Sequence, residues 1–165
     1  MSPDDTKINP SQTSTVEANK WKESVKNREI LGDNGKYKFD SNGNLTITHT
    51  YNGESYSENY TFWGAINDTT AIYYERINIR DIFGDTAPNT ETWYYYGIKL
   101  DTINNKFNVY TISNYDSLLN DWWQNNFDKN GSPKPNIDWS KMPVQSKDNI
   151  DWNNSFINGD LIKKQ

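Results

Sequence analysis

The chain contains no cysteine, which excludes disulfide cross-links, thiolate metal sites and a cysteine nucleophile together. Histidine is almost as scarce, and His49 stands alone. A zinc centre needs several imidazole or thiolate donors, and a Ser-His-Asp triad would have to be assembled around this one residue. His49 lies in the alternating run Thr46-Ile47-Thr48-His49-Thr50, which reads more simply as a strand. There is no phosphate-cradling glycine loop, dinucleotide fingerprint or nucleophile elbow. Sequence therefore assigns no catalytic residue, no metal ligand and no cofactor.

Long apolar runs are missing too. No stretch has the length of a membrane-spanning helix, and the chain does not open on a charged segment followed by an apolar one. Clustered basic residues are also absent. The 17 Lys and Arg are scattered against 22 Asp and Glu, for a net charge of −5, which argues against a phosphate-backbone partner. Only 33% of residues are hydrophobic and the mean hydropathy is −1.00, values that by themselves describe a disordered chain.

Aromatic residues reverse that reading. Seven Trp, eleven Tyr and six Phe supply large buried areas per residue, so a few of them replace many aliphatic side chains. With 165 residues, one domain around one aromatic core is expected. Between Tyr37 and Tyr110 the aromatics fall in short segments of alternating polarity, closed by Asn, Asp or Gly: residues 36–39, 45–48, 56–63, 71–79, 93–100 and 106–112. This is the pattern of a half-buried antiparallel sheet. Asn42-Gly43 and Asn52-Gly53 stand between such segments, where tight hairpins require positive φ. In Trp93-Tyr94-Tyr95-Tyr96 both strand faces are aromatic, which predicts a strand covered on both sides.

Two helices flank the sheet. Ser14-Thr15-Val16-Glu17 has capping-box spacing, and Ala18, Trp21 and Val25 then share one face, predicting a helix over 15–27. Asp116 or Ser117 caps a second, in which Leu119, Trp123 and Phe127 recur at four-residue spacing. The stretch 81–92 reads as the longest loop. Beyond Asp128 come Pro133, Pro135 and Pro143 with little periodicity, and Asn136-Ile137-Asp138-Trp139 recurs as Asn149-Ile150-Asp151-Trp152. The predicted organisation is a flexible tether over 1–13, a β domain with flanking helices over 14–128, and an extended tail over 129–165.

The run Tyr37-Lys38-Phe39-Asp40-Ser41-Asn42-Gly43-Asn44-Leu45-Thr46, an aromatic strand turning on Asn-Gly into a Thr-rich one, resembles the early hairpin of bacterial lipocalin-like proteins of the calycin type. The resemblance covers roughly residues 21–127 and implies an up-and-down barrel enclosing a small apolar ligand. It departs from that family in having no Gly-x-Trp near the start and in carrying Trp21 on a helix. A strongly curved open sheet with the first helix packed inside it, as in periplasmic lipoprotein carriers, fits the same segments. The polar first dozen residues resemble the tether of a mature bacterial lipoprotein, its anchor replaced by a start Met. An exported protein at the cell surface or in the periplasm is thus expected, touching membrane only through such an anchor.

The leading expectation is a binding protein for an apolar or amphiphilic small molecule, with Tyr60, Phe62, Tyr74, Trp93 and Tyr95 lining the cavity on strand parity. Exposed Trp and Tyr would alternatively make a surface adhesin or carbohydrate-binding module for glycans or a host macromolecule. A hydrolase would need two of the strand carboxylates Glu54, Glu58, Glu75 and Glu91, and nothing in the sequence selects a pair.

Overall fold

The computed structural model describes residues 15–32, 35–113 and 115–161. The predicted tether, Ser14, Asp33 and Asn34 lie outside that range. Helix α1 (Val16–Val25) is followed by strands β1 (Glu29–Gly32), β2 (Gly35–Phe39), β3 (Leu45–Tyr51), β4 (Glu54–Asn67) and β5 (Thr70–Asn78). A short helix α2 (Ile79–Phe83), strands β6 (Glu91–Asp101) and β7 (Lys106–Ile112), helix α3 (Tyr115–Asn126) and strand β8 (Ile150–Leu161) complete the chain. Each strand pairs antiparallel with the next, and β8 returns to β1, closing an eight-stranded barrel. Closure decides between the barrel and the open curved sheet.

Local chemistry explains the connections. The Oδ1 of Asp40 accepts from the amides of Asn42 and Asn44 at 2.8 and 2.9 Å, while Gly43 takes φ 81° to turn β2 into β3. Asn52 and Gly53, at φ 51° and 80°, form the two-residue turn between β3 and β4. Helix α1 is shorter than predicted. Its cap is Thr15, whose hydroxyl accepts from the amide of Ala18, and Asn27 at φ 59° lies beyond its end.

Two apolar layers result, one inside the barrel and one outside. On the inner faces Tyr37, Phe39, Leu45, Ile47, Phe62, Tyr73, Ile98, Phe107 and Val109 meet the face of α1 that carries Ala18, Trp21 and Val25. The helix closes the end of the barrel where β2 turns into β3. There the indole N–H of Trp21 donates to the hydroxyl of Tyr73 at 2.9 Å, and that hydroxyl donates to the carbonyl of Gly43. Phe62, Phe39 and Trp21 surround Tyr73 edge-on, with centroids 5.6, 6.2 and 6.3 Å away. The protein's own rings thus occupy this half of the interior.

The outer layer lies under the long connection from β7 to β8. Ile72, Tyr74, Tyr95, Tyr110, Ile112 and Ile150 pack with Tyr115, and Leu119 of α3 joins them. β5 and β6 are therefore covered on both faces, as the aromatic run in β6 predicts. Phe83 of α2, Trp122 of α3, Phe127 and Trp139 form a satellite cluster with centroids 5.5 to 6.1 Å apart. The two copies of Asn-Ile-Asp-Trp do different things. Asp138 caps a short 3-10 turn that delivers Trp139 to this cluster, whereas Trp152 lies on the sheet against Tyr110, 5.5 Å away.

Two expectations need correction. The barrel does not end near Asp128, because residues 150–161 of the predicted tail are its closing strand. Register shifts opposite Val109, Tyr110 and Ile112 break the alternation of β8, which hid it among Asn residues. The stretch read as a loop over 81–92 begins inside α2, capped by the Asn78 side chain, which accepts from Arg80 N. Strand β1 is only four residues long, too short for its alternation to register.

Tyr73→Phe strands a buried indole N–H and the Gly43 carbonyl, and should lower stability by about 1–3 kcal/mol in denaturant titrations. At Gly97 an added Cβ would meet the Trp152 ring at 2.4 Å. Gly97→Ala should accordingly lift Trp152 off the sheet, shifting Trp fluorescence and costing about 1–3 kcal/mol.

Candidate functional site at the split rim

Two of the strand ladders stop before their strands do. β4 pairs with β5 only from Thr61↔Tyr74 onward, although β4 begins at Glu54 and β5 continues to Asn78. The β3–β4 ladder runs on to Tyr51↔Glu54, and the β5–β6 ladder to Asn78↔Glu91. At the end away from α1 the wall therefore opens into two ribbons with a gap between β4 and β5. β6 likewise extends past its last pair with β7, Gly97↔Tyr110. That second gap is sealed by the β7–β8 connection, where Gln145 Oε1 accepts from the amide of Tyr95 at 2.6 Å.

Strand alternation decides what lines the open gap. Tyr60 pairs with Leu45 and Glu58 with Ile47, so both share the inner face of the barrel. Glu75 and Tyr96 lie on the inner parity of β5 and β6, two positions from Tyr73 and Ile98. The rings of Tyr60 and Tyr96 stack at 4.3 Å with only 12° between planes. Tyr96 donates its hydroxyl to Glu75 Oε1 at 3.3 Å, and Phe156 also reaches Tyr96, at 6.3 Å. On the ribbon, His49 Nε2 stands 3.4 Å from Glu58 Oε2. The inner face continues outward through Tyr56, whose hydroxyl bonds Glu54 at 2.8 Å, and Tyr51, which is 69% exposed.

The electrostatics of this rim are one-sided. Among the described residues neither Glu58 nor Glu75 has a Lys or Arg within ion-pair distance. Burial, and then the charge of Glu58, pushes the Glu75 carboxyl up to about 7, against a smaller opposing effect of the Tyr96 hydroxyl. Burial also raises Tyr60 and Tyr96 far above the ordinary phenol range, so both hydroxyls stay protonated donors. Thr92, on the same face of β6 and only 2% exposed, has a hydroxyl with no hydrogen-bond partner among the described residues. The rim can present the half-buried Tyr96 ring, backed by the buried ring of Tyr60, to an apolar group and carboxylates to a positive charge.

The five predicted lining residues do not share one face. Phe62 packs in the sealed half of the interior, with Lys22 Nζ 5.0 Å above its ring, and Tyr60 stands at the rim. Tyr74, Trp93 and Tyr95 are on the opposite face, under the β7–β8 connection. Their strands carry rings at both parities, so alternation alone could not tell the faces apart. Glu58, Glu75 and Tyr96 are the rim residues that the predicted lining omits. The signal for Glu58 was present in Tyr56-Ser57-Glu58-Asn59-Tyr60, where rings and acid alternate with short polar residues. Of the four strand carboxylates, the fold brings Glu58 and Glu75 to this rim, leaves Glu54 further along the ribbon and sets Glu91 4.0 Å from Arg76.

Elsewhere, a groove of about 570 Å³ between β1, β7 and β8 is lined by Asp101, Asn104, Asn108 and Asn158. Its Lys106 and Asp160 satisfy each other at 2.5 Å, and it contains no aromatic ring. Among the described residues no group of three or more His, Cys, Asp or Glu could hold a metal ion, and no helix is long and apolar enough to cross a membrane. Comparison with protein-family models, curated proteins and solved structures finds no match to this chain.

The raised Glu75 carboxyl has a thermodynamic consequence. The folded state holds this proton more tightly than the unfolded chain, whose carboxyl titrates near 4.5, so its contribution favours folding below that value and fades as pH rises toward 7. Glu75→Gln should remove this component. Subtracting the pH profile of the variant's melting temperature from that of the parent should leave a fall confined to that window.

Proposed function

We propose that this protein is a binding barrel that takes a small amphiphile at its split rim, with the apolar part against the Tyr60–Tyr96 stack and a positively charged head between Glu58 and Glu75. The observation that carries the reading is this stack, at 4.3 Å, flanked by two carboxylates that among the described residues have no Lys or Arg partner. Stacked phenol faces attract both alkyl chains and ammonium groups, and a half-buried carboxylate gains from a cation that replaces its lost water. The resemblance to lipocalin-like proteins supports the same class of ligand. An exported location, at the cell surface or in the periplasm, belongs to this reading through the polar composition of residues 1–13.

A second reading, glycan recognition, draws on the 69% and 50% exposure of Tyr51 and Tyr56 beyond the rim, where rings next to Glu54 could stack on sugars. Titration of Tyr51→Ala with a panel of oligosaccharides would reveal it, and a silent panel against the parent protein would remove it.

The principal test compares dodecylamine with dodecanoate by calorimetry across neutral pH. The amine should bind more tightly, and its affinity should rise roughly five- to tenfold as pH passes about 7 and Glu75 loses its proton. Glu75→Gln should abolish the pH step, and Tyr96→Ala should weaken binding at every pH. Equal affinity for the two head groups would overturn the reading.

A further inference from the structure

We infer that the free edge of β4 receives an extended, basic segment of another protein as an added strand. Among the described residues, 54–60 of β4 have a hydrogen-bonded neighbour strand on one side only, because the ladder to β5 begins at Thr61. Which groups face the empty side follows from Phe62, whose amide donates to Asn44 Oδ1 at 3.0 Å, and Asn44 directly precedes β3. Even-numbered backbone groups of β4 thus face β3. Alternation turns the N–H and C=O of Ser55, Ser57 and Asn59 toward the gap. All three residues are exposed, and among the described residues no backbone hydrogen bond outside the β3–β4 ladder ends on them.

The molecule treats its two gaps differently. Beyond β7, the amide of Tyr95 is met by Gln145 from the chain's own connection. Beyond β5, nothing among the described residues plays that part for β4. Unpaired edges are ordinarily blunted by Lys, Pro or a bulge, and residues 54–60 contain no Lys and no Pro, and keep continuous register with β3. Seven residues of regular edge, of which 54–59 are exposed, are long enough to bind a peptide strand through its main chain.

Charge identifies the occupant. The inner face of this edge reads Glu54, Tyr56, Glu58 and Tyr60, with Glu75 across the gap. A second copy pairing edge to edge would add its own Glu54 and Glu58 to the same face, where they would meet these carboxylates on the diagonal or, in a shifted register, directly opposite, which like-charge neighbours across a sheet disfavour. An antiparallel segment with Lys or Arg opposite Glu54 and Glu58, and apolar residues opposite Tyr56 and Tyr60, satisfies every position. Small polar residues suit the places beside Ser55, Ser57 and Asn59.

The probe is the synthetic peptide Val-Thr-Lys-Thr-Val-Thr-Lys, tested on the intact chain by amide NMR and hydrogen exchange. The amides of Ser55, Ser57 and Asn59 should gain protection and those of the remote strands should not. Replacing both Lys by Glu, or N-methylating the Thr amides that face β4, should weaken binding about tenfold or more. Ser57→Pro, which removes an edge donor without touching the β3 ladder, should do the same while dodecylamine binding persists. Retained amine binding separates failure of this inference from failure of the amphiphile reading, because both use Glu58 and Tyr60 but only the peptide needs the backbone edge. Equal binding of the acidic peptide, protection located elsewhere, or no binding at millimolar peptide would each overturn the inference.

Discussion

The hydroxyl of Tyr73 is the point at which the helix, the barrel wall and the first hairpin become one structure. It accepts the indole N–H of Trp21 and donates to the Gly43 carbonyl, so both of its hydrogen-bonding roles are used inside an otherwise apolar core. Burying three polar groups among the rings of Trp21, Phe39, Phe62 and Tyr73 is tolerable only because all are mutually satisfied. Once Tyr73 is placed, Trp21 is placed, and α1 closes one end of the barrel. With that end filled by rings, any binding chemistry is left to the other end and to the outer surface.

At that other end, strand length matters more than sequence. β4 is fourteen residues long and β5 nine, and their shared ladder covers only part of either. Twisted strands that outrun their ladder diverge, and each divergence exposes a backbone edge together with the inner-face side chains beside it. The chain answers one divergence with its own β7–β8 connection. At the other, stacked tyrosines, two carboxylates and an unpaired strand edge remain side by side, which is why one place supports both a small-molecule reading and a peptide reading.

Parts of this were legible from residues alone. The Asn52-Gly53 turn, the amphipathic face of α1 and the six central strands follow from local chemistry that no tertiary contact overrides. The run Trp93-Tyr94-Tyr95-Tyr96 correctly announces a strand covered twice. That same run withholds which ring faces which side, so strand parity groups Tyr74, Trp93 and Tyr95 with Tyr60 although they lie across the wall from it. β8 escaped notice because bulges interrupt its period and Asn residues fill its solvent face. Glu58 and Glu75 were visible as strand acids, but their pairing depends on where two ladders end.

What the sequence determined by itself is the class of the fold and the aromatic nature of its core, since alternation, turn chemistry and ring count are local quantities. Closure of the barrel, the sealing of one end by Trp21 and the meeting of Glu58 with Glu75 were decided only by tertiary structure. Each depends on register between segments far apart in the chain, and a shift of one residue in any of them would exchange the inner and outer faces.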